Sequence, residues 1–148
     1  MSLVVAQIDI AAPPAAVWDA AMDPARTTEW VTIVSGVDHV DDGPLRPGFR
    51  MHQALSLRGV SFRVRWRLDE VDAPWFARWE GTGPARSKAL IENLLRERDG
   101  GGTHFEYRNE FTAPFGPLGS IASRALVGGV PEREAATSLQ RLKQLLEQ

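Results

Sequence analysis

The chain has 148 residues, 43% hydrophobic and 24% charged, with a formal net charge of −2 and no cysteine. That length can bury a sizeable core and points to one domain over residues 1–148. The near-neutral charge gives no electrostatic argument for nucleic acid or an anionic membrane as a partner, and lack of cysteine excludes disulfides, thiol catalysis and Cys-ligated metals.

The amino terminus, MSLVVAQIDI, alternates Val4, Ala6, Ile8 and Ile10 with Val5, Gln7, Asp9 and Ala11, the period-2 pattern of a strand. It has no basic leader region, and Gln7 and Asp9 interrupt it, so a signal peptide is not expected. No uncharged run approaches the ~20 residues of a membrane span. A cytoplasmic location is the expectation. Pro13-Pro14 ends the strand, and Ala15 to Met22 reads as a short helix, because proline suits a first helical turn. Asp23-Pro24 then supplies a cap and a second helix start running to Trp30.

A series of strands is predicted next: Val31 to Val40, Phe49 to Leu57, Val60 to Leu68 and Trp75 to Thr82, separated by Gly- and Pro-bearing turns. In the third of these, Val60, Phe62, Val64, Trp66 and Leu68 alternate with Ser61, Arg63, Arg65 and Arg67, which places the arginines on the outer face. Ser87 to Arg98 is rich in helix formers, but tight glycine turns flank it on both sides, so a strand is predicted, paired as a hairpin with Thr103 to Thr112. From Pro117 onward the apolar spacing becomes helical: first Leu118, Ile121, Ala122, Ala125 and Leu126, then Ala135, Leu139, Leu142 and Leu146. Gly128-Gly129-Val130-Pro131 lies between these runs and is expected to kink the helix or hinge a lid.

This order of elements resembles the START-like superfamily, the helix-grip fold, in its polyketide cyclase/dehydrase and lipid-transport branch. The resemblance rests on IDIAAPPAAVWDAAMDPARTTEW, Pro47-Gly48, LDEVDAPWFARWEG, and GGGTHFEYRNEF followed by FGPLG, and it covers nearly the whole chain. It implies an α+β fold: a curved antiparallel sheet of six to seven strands wrapped around a long C-terminal helix, with two short helices after the first strand. It also implies a cavity between sheet and helix for a small hydrophobic or aromatic ligand, without a metal or organic cofactor, in a monomer or homodimer.

The cavity wall implied by this resemblance comprises Trp30, Met51, Gln53, Val64, Trp66 and Trp79 from the first half of the chain. Asn93, Tyr107, Asn109 and Phe111 follow from the last hairpin, and Leu118, Ile121, Ala122 and Ala125 from the helix. Three amides, Gln53, Asn93 and Asn109, share parity with apolar residues. An unpaired buried amide costs about 1–3 kcal/mol, so a dry core rarely keeps one, whereas a mostly apolar pocket uses a few polar groups to orient its ligand. The histidines, His39, His52 and His104, are spread over separate predicted strands and are expected to face solvent rather than converge on a metal. For catalysis the inner face offers only Tyr107 as a proton donor, with Glu29 beside Trp30 as the second candidate. That scarcity favours a carrier or sensor. The alternative is a polyketide cyclase/aromatase/dehydrase acting by positioning its substrate.

Overall fold

The computed structural model describes residues 2–112 and 130–148. Seven strands form one antiparallel, curled sheet in the order β1-β7-β6-β5-β4-β3-β2. The strands are β1 (Ser2–Ile10), β2 (Val34–Asp38), β3 (Arg50–Leu57), β4 (Val60–Asp72), β5 (Phe76–Thr82), β6 (Lys88–Glu97) and β7 (Thr103–Thr112). After β1 come helix α1 (Pro14–Met22), a single 3-10 turn, Pro24–Arg26, and helix α2 (Thr27–Trp30); helix α3 (Val130–Leu146) closes the chain. This is the helix-grip architecture.

Local chemistry explains the helix boundaries. Pro14 opens α1, where its missing N–H costs nothing. The Asp23 carboxylate accepts from the Ala25 N–H at 2.9 Å and caps the turn that follows. β2 is shorter than the predicted Val31–Val40. The Val31 N–H is taken by the Thr27 carbonyl at 2.9 Å, closing α2, and His39 ends the strand by adopting a left-handed backbone, φ 49°.

β4 runs four residues beyond the predicted Leu68. Its pairing with β5 shifts register between Leu68 and Glu70, so Asp69 and Glu70 both face solvent and Val71 returns toward the core. A bulge of this kind breaks period 2, and that is why the alternation in the sequence stops early. The bulge lies downstream of Arg65 and leaves it exposed. Within Ser87 to Arg98 the strand Lys88–Glu97 forms despite its helix formers, because β6 pairs with β7 over its whole length and with β5 from Lys88 to Leu94. Tertiary pairing overrides a propensity difference worth only tenths of a kcal/mol per residue.

The core lies between the concave face and the helices. Ile10, Val17, Leu68, Phe105 and Leu142 are fully buried in it. Helix α3 contributes Leu139 and Leu142 from one face and is tied down at its end. Glu147 Oε2 accepts from the Ala11 N–H at 2.8 Å and from Lys143 Nζ at 2.6 Å, while Lys143 Nζ also donates to the Asp9 carbonyl at 2.9 Å. The Ala11 amide, then Lys143, hold the Glu147 carboxyl below its usual range.

Candidate functional site

A cavity of about 180 Å³ lies between the concave face and helices α1–α3. One water needs roughly 10–15 Å³ by this measure, so the space holds far more than a single bridging water. It is still below the roughly 300–1,000 Å³ of pockets that take drug-sized molecules.

Strand register builds its walls. Met51 lies opposite Trp66, and Gln53 opposite Val64, across β3 and β4. On the other side Ala77 is opposite Asn93, Asn93 opposite Tyr107, and Ile91 opposite Asn109. Inward residues on neighbouring strands therefore come into one patch, since side chains two apart share a face. Trp30, Met51, Gln53, Val64, Trp66 and Trp79 all line the cavity, as do Asn93, Tyr107, Asn109 and Phe111. Leu118, Ile121, Ala122 and Ala125, with the Gly128-Gly129 pair and the lid expected around them, lie outside the described residues.

Glycine shapes one wall. A Cβ on Gly81, the cross-strand partner of Trp66, would sit 2.7 Å from both the Trp66 ring and the Val64 Cγ1. Only a residue without a side chain lets the indole lie flat over β5. The Trp66 Nε1–H in turn donates to Gln53 Oε1 at 2.9 Å, satisfying that amide oxygen within the wall.

Asn109 is different. Its Nδ2 donates to the Tyr107 hydroxyl at 3.2 Å, but among the described residues its Oδ1 is buried without a partner, and so is the Trp30 Nε1–H. Turning the amide over exchanges which atom is orphaned without satisfying both. Burial pushes the Tyr107 hydroxyl up to about 12, the Asn109 hydrogen bond opposing this in part. Tyr107 is accordingly a neutral phenol at physiological pH.

Among the described lining residues the sole ionisable group besides Tyr107 is Glu134, on the first turns of α3. From the sequence it is legible only as an acidic residue suited to a first helical turn, not as part of the cavity wall. The Thr32 hydroxyl donates to its carboxylate, the Thr32 N–H donates to Ser138 Oγ at 3.0 Å, and Ser138 Oγ donates to the Glu134 carbonyl at 2.8 Å. This clasp fixes the start of α3 against the turn between α2 and β2. Glu134 and Ser138 lie beside Ala135, Leu139 and Leu142 at helical spacing, and that proximity to the apolar stripe was the available signal.

Glu29 is not on the cavity. It is exposed and its carboxylate accepts from Arg26 Nε at 3.2 Å, because the short α2 turns it outward while Trp30 turns in. His104 lies on the outer face, Nδ1 2.7 Å from Asp9 Oδ1 and Nε2 2.8 Å from Gln7 Oε1. His39 and His52 are not scattered as expected. β2 pairs with β3 so that Asp38 is opposite His52, and the left-handed His39 folds its ring to 4.7 Å from that of His52.

The chain belongs to the polyketide cyclase/dehydrase and lipid-transport family, whose model matches residues 1–147. It is similar to the uncharacterized protein Rv1546 of Mycobacterium tuberculosis, 29% identical over 133 residues that cover 88% of this chain and 92% of that protein. It is also similar to a protein of the same organism named Toxin Rv0910, 26% identical over 126 residues, 84% and 88% of the two chains. Among solved structures, the Zhui aromatase/cyclase of a Streptomyces species superposes with a TM-score of 0.79 at 18% identity, over 99% of this chain and 93% of that one. That last likeness establishes the fold.

Proposed function

We propose that the protein binds a compact, uncharged, largely apolar or aromatic molecule in the cavity between sheet and helix, as a carrier or sensor. One observation carries this reading. The concave face and helix α2 together bring four large aromatic residues, Trp66, Trp79 and Tyr107 from strands and Trp30 from α2, around a space that also meets the amides Gln53, Asn93 and Asn109. A wall of apolar surface with a few fixed polar groups is how small-molecule sites obtain affinity and orientation together. The described wall holds no lysine, arginine or histidine, so a ligand carboxylate would find no countercharge there and would lose its hydration on entry. Neutral ligands are favoured.

The cyclase/aromatase reading gains one specific support from Glu134, which supplies the carboxylate that the inner face lacks in the sequence reading. Its carboxylate accepts from the Thr32 hydroxyl at the edge of the space, the kind of placement an acid or base for that chemistry needs.

Titration with a neutral aromatic dye, followed by tryptophan fluorescence, tests the binding reading. Saturable binding is expected, weakened several-fold by Trp79→Leu and by Tyr107→Phe. If no neutral hydrophobic probe binds the folded protein, or if both variants bind as tightly as the parent, the cavity is a packing defect and not a site.

A further inference from the structure

A second cluster lies on the opposite face of the same sheet, and it does not depend on what the cavity binds. At the edge, Asp38 ends β2 directly across from His52 on β3. His52 shares the outward parity of Arg50, so its ring points away from the core. His39 follows Asp38 with φ 49°, a conformation few non-glycine residues adopt, although histidine does so more often than most. That reversal brings its imidazole back over the strand pair, 4.7 Å from the His52 ring centroid to centroid. One ligand atom from each of Asp38, His39 and His52 lies within 4.8 Å of the others.

We propose that Asp38, His39 and His52 form a binding site for a borderline divalent first-row cation, with zinc as the representative. Two imidazole nitrogens and one carboxylate oxygen are a donor set for Zn²⁺, Co²⁺, Ni²⁺ or Cu²⁺, not for Mg²⁺ or Ca²⁺, which take oxygens. Bonds of about 2.0–2.2 Å place tetrahedral ligand atoms roughly 3.4 Å apart. Side-chain rotation closes that gap from 4.8 Å, because Asp38 and His39 are exposed. Three protein ligands leave a coordination position for water. Arg63 Nη2 sits 2.5 Å from Asp38 Oδ1. A carboxylate has a second oxygen, so the guanidinium can hold Asp38 from behind while the other oxygen ligates, the arrangement by which outer partners orient metal ligands.

Arg65 works against the site. It is the cross-strand neighbour of His52, and its like charge lowers the affinity for any cation. Metal binding here would stitch the short edge strand β2 to β3, next to the irregularity where their register shifts between Val34 and Gly36. The tie would stabilise the edge without touching the cavity.

Isothermal titration of the metal-stripped protein with zinc tests the assignment. One zinc per chain is expected, with His39→Ala and His52→Ala each weakening it about tenfold or more. His104→Ala is expected to leave the affinity unchanged, and magnesium is expected not to bind. His39 is exposed and His52 points outward, so circular dichroism of both variants should match the parent. Failure of the parent to bind zinc stoichiometrically, or retention of full affinity by either the His39 or the His52 variant, overturns the proposal. Neither result bears on the dye titration.

Discussion

The two faces of this sheet are made by the same strands and obey opposite rules. On β4, Arg63 and Arg67 point outward and each finds a carboxylate, Asp38 at 2.5 Å and Glu80 at 2.7 Å. On the same strand Val64 and Trp66 point inward to the cavity. These two outer pairs are about half exposed, so each contributes at most about 1 kcal/mol. The cavity wall has few polar groups, yet two of them, Asn109 Oδ1 on β7 and Trp30 Nε1 on α2, are buried with no partner among the described residues. Each such atom costs on the order of 1–3 kcal/mol. The convex face is therefore built for tolerance. The cavity wall carries a stability cost that its own packing does not remove.

The sharpest way to break this contrast is Gly81→Ala. The added Cβ would meet the Trp66 ring and Val64 at 2.7 Å, and Trp66 is held in place by Gln53. Overpacking of this kind costs typically about 1–3 kcal/mol, read as a shift in the urea midpoint. An unchanged midpoint would mean that the indole moves aside freely and that the concave wall is not rigid.

The next test uses the sole tyrosine of the chain. Burial disfavours the phenolate and pushes its hydroxyl up from the ordinary tyrosine range near 10 to about 12. Folding thus favours the protonated form, so the stability linked to Tyr107 is intact below pH 10 and is lost as the pH rises from about 10 to about 12. Tyrosinate absorbance of the native protein should therefore appear about two pH units later than in denaturant, or only in step with unfolding. A native titration near pH 10 would place the hydroxyl in water and dissolve the difference between the faces at that point.

How much of this was legible in the sequence follows the same division. Period-2 alternation identified the inward residues of β3, β4, β6 and β7, because side-chain direction along a strand is set by the pleat alone. The amide at Asn109 stood out for the same reason. What the sequence did not reveal depends on contacts between distant segments. Thr32, Glu134 and Ser138 meet only when α3 docks against the α2–β2 turn, across 102 to 106 residues. His39 and His52 meet only because β2 ends in a left-handed residue, which no periodicity encodes. The end of β4 was misread where a bulge resets the phase. Local pattern carries direction, and tertiary docking decides company.

The smallest expected effect is also the cleanest control. Arg65 sits between Arg63 and Arg67 on β4, opposite His52 on one side and Thr82 on the other, and it is exposed. Cation-rich strands often suggest an anion site, and an inward Arg65 would have anchored a ligand carboxylate. Its outward direction means that removing the guanidinium exposes no buried partner and opens no cavity, so Arg65→Ala should change stability by less than about 0.5 kcal/mol. It should also leave dye affinity unaltered, because the sheet separates it from the cavity. Zinc should bind somewhat more tightly to this variant, since one like charge beside His52 has been removed. A loss above about 2 kcal/mol in denaturant melts would show instead that Arg65 is buried, and with it the assignment of the convex face would fail.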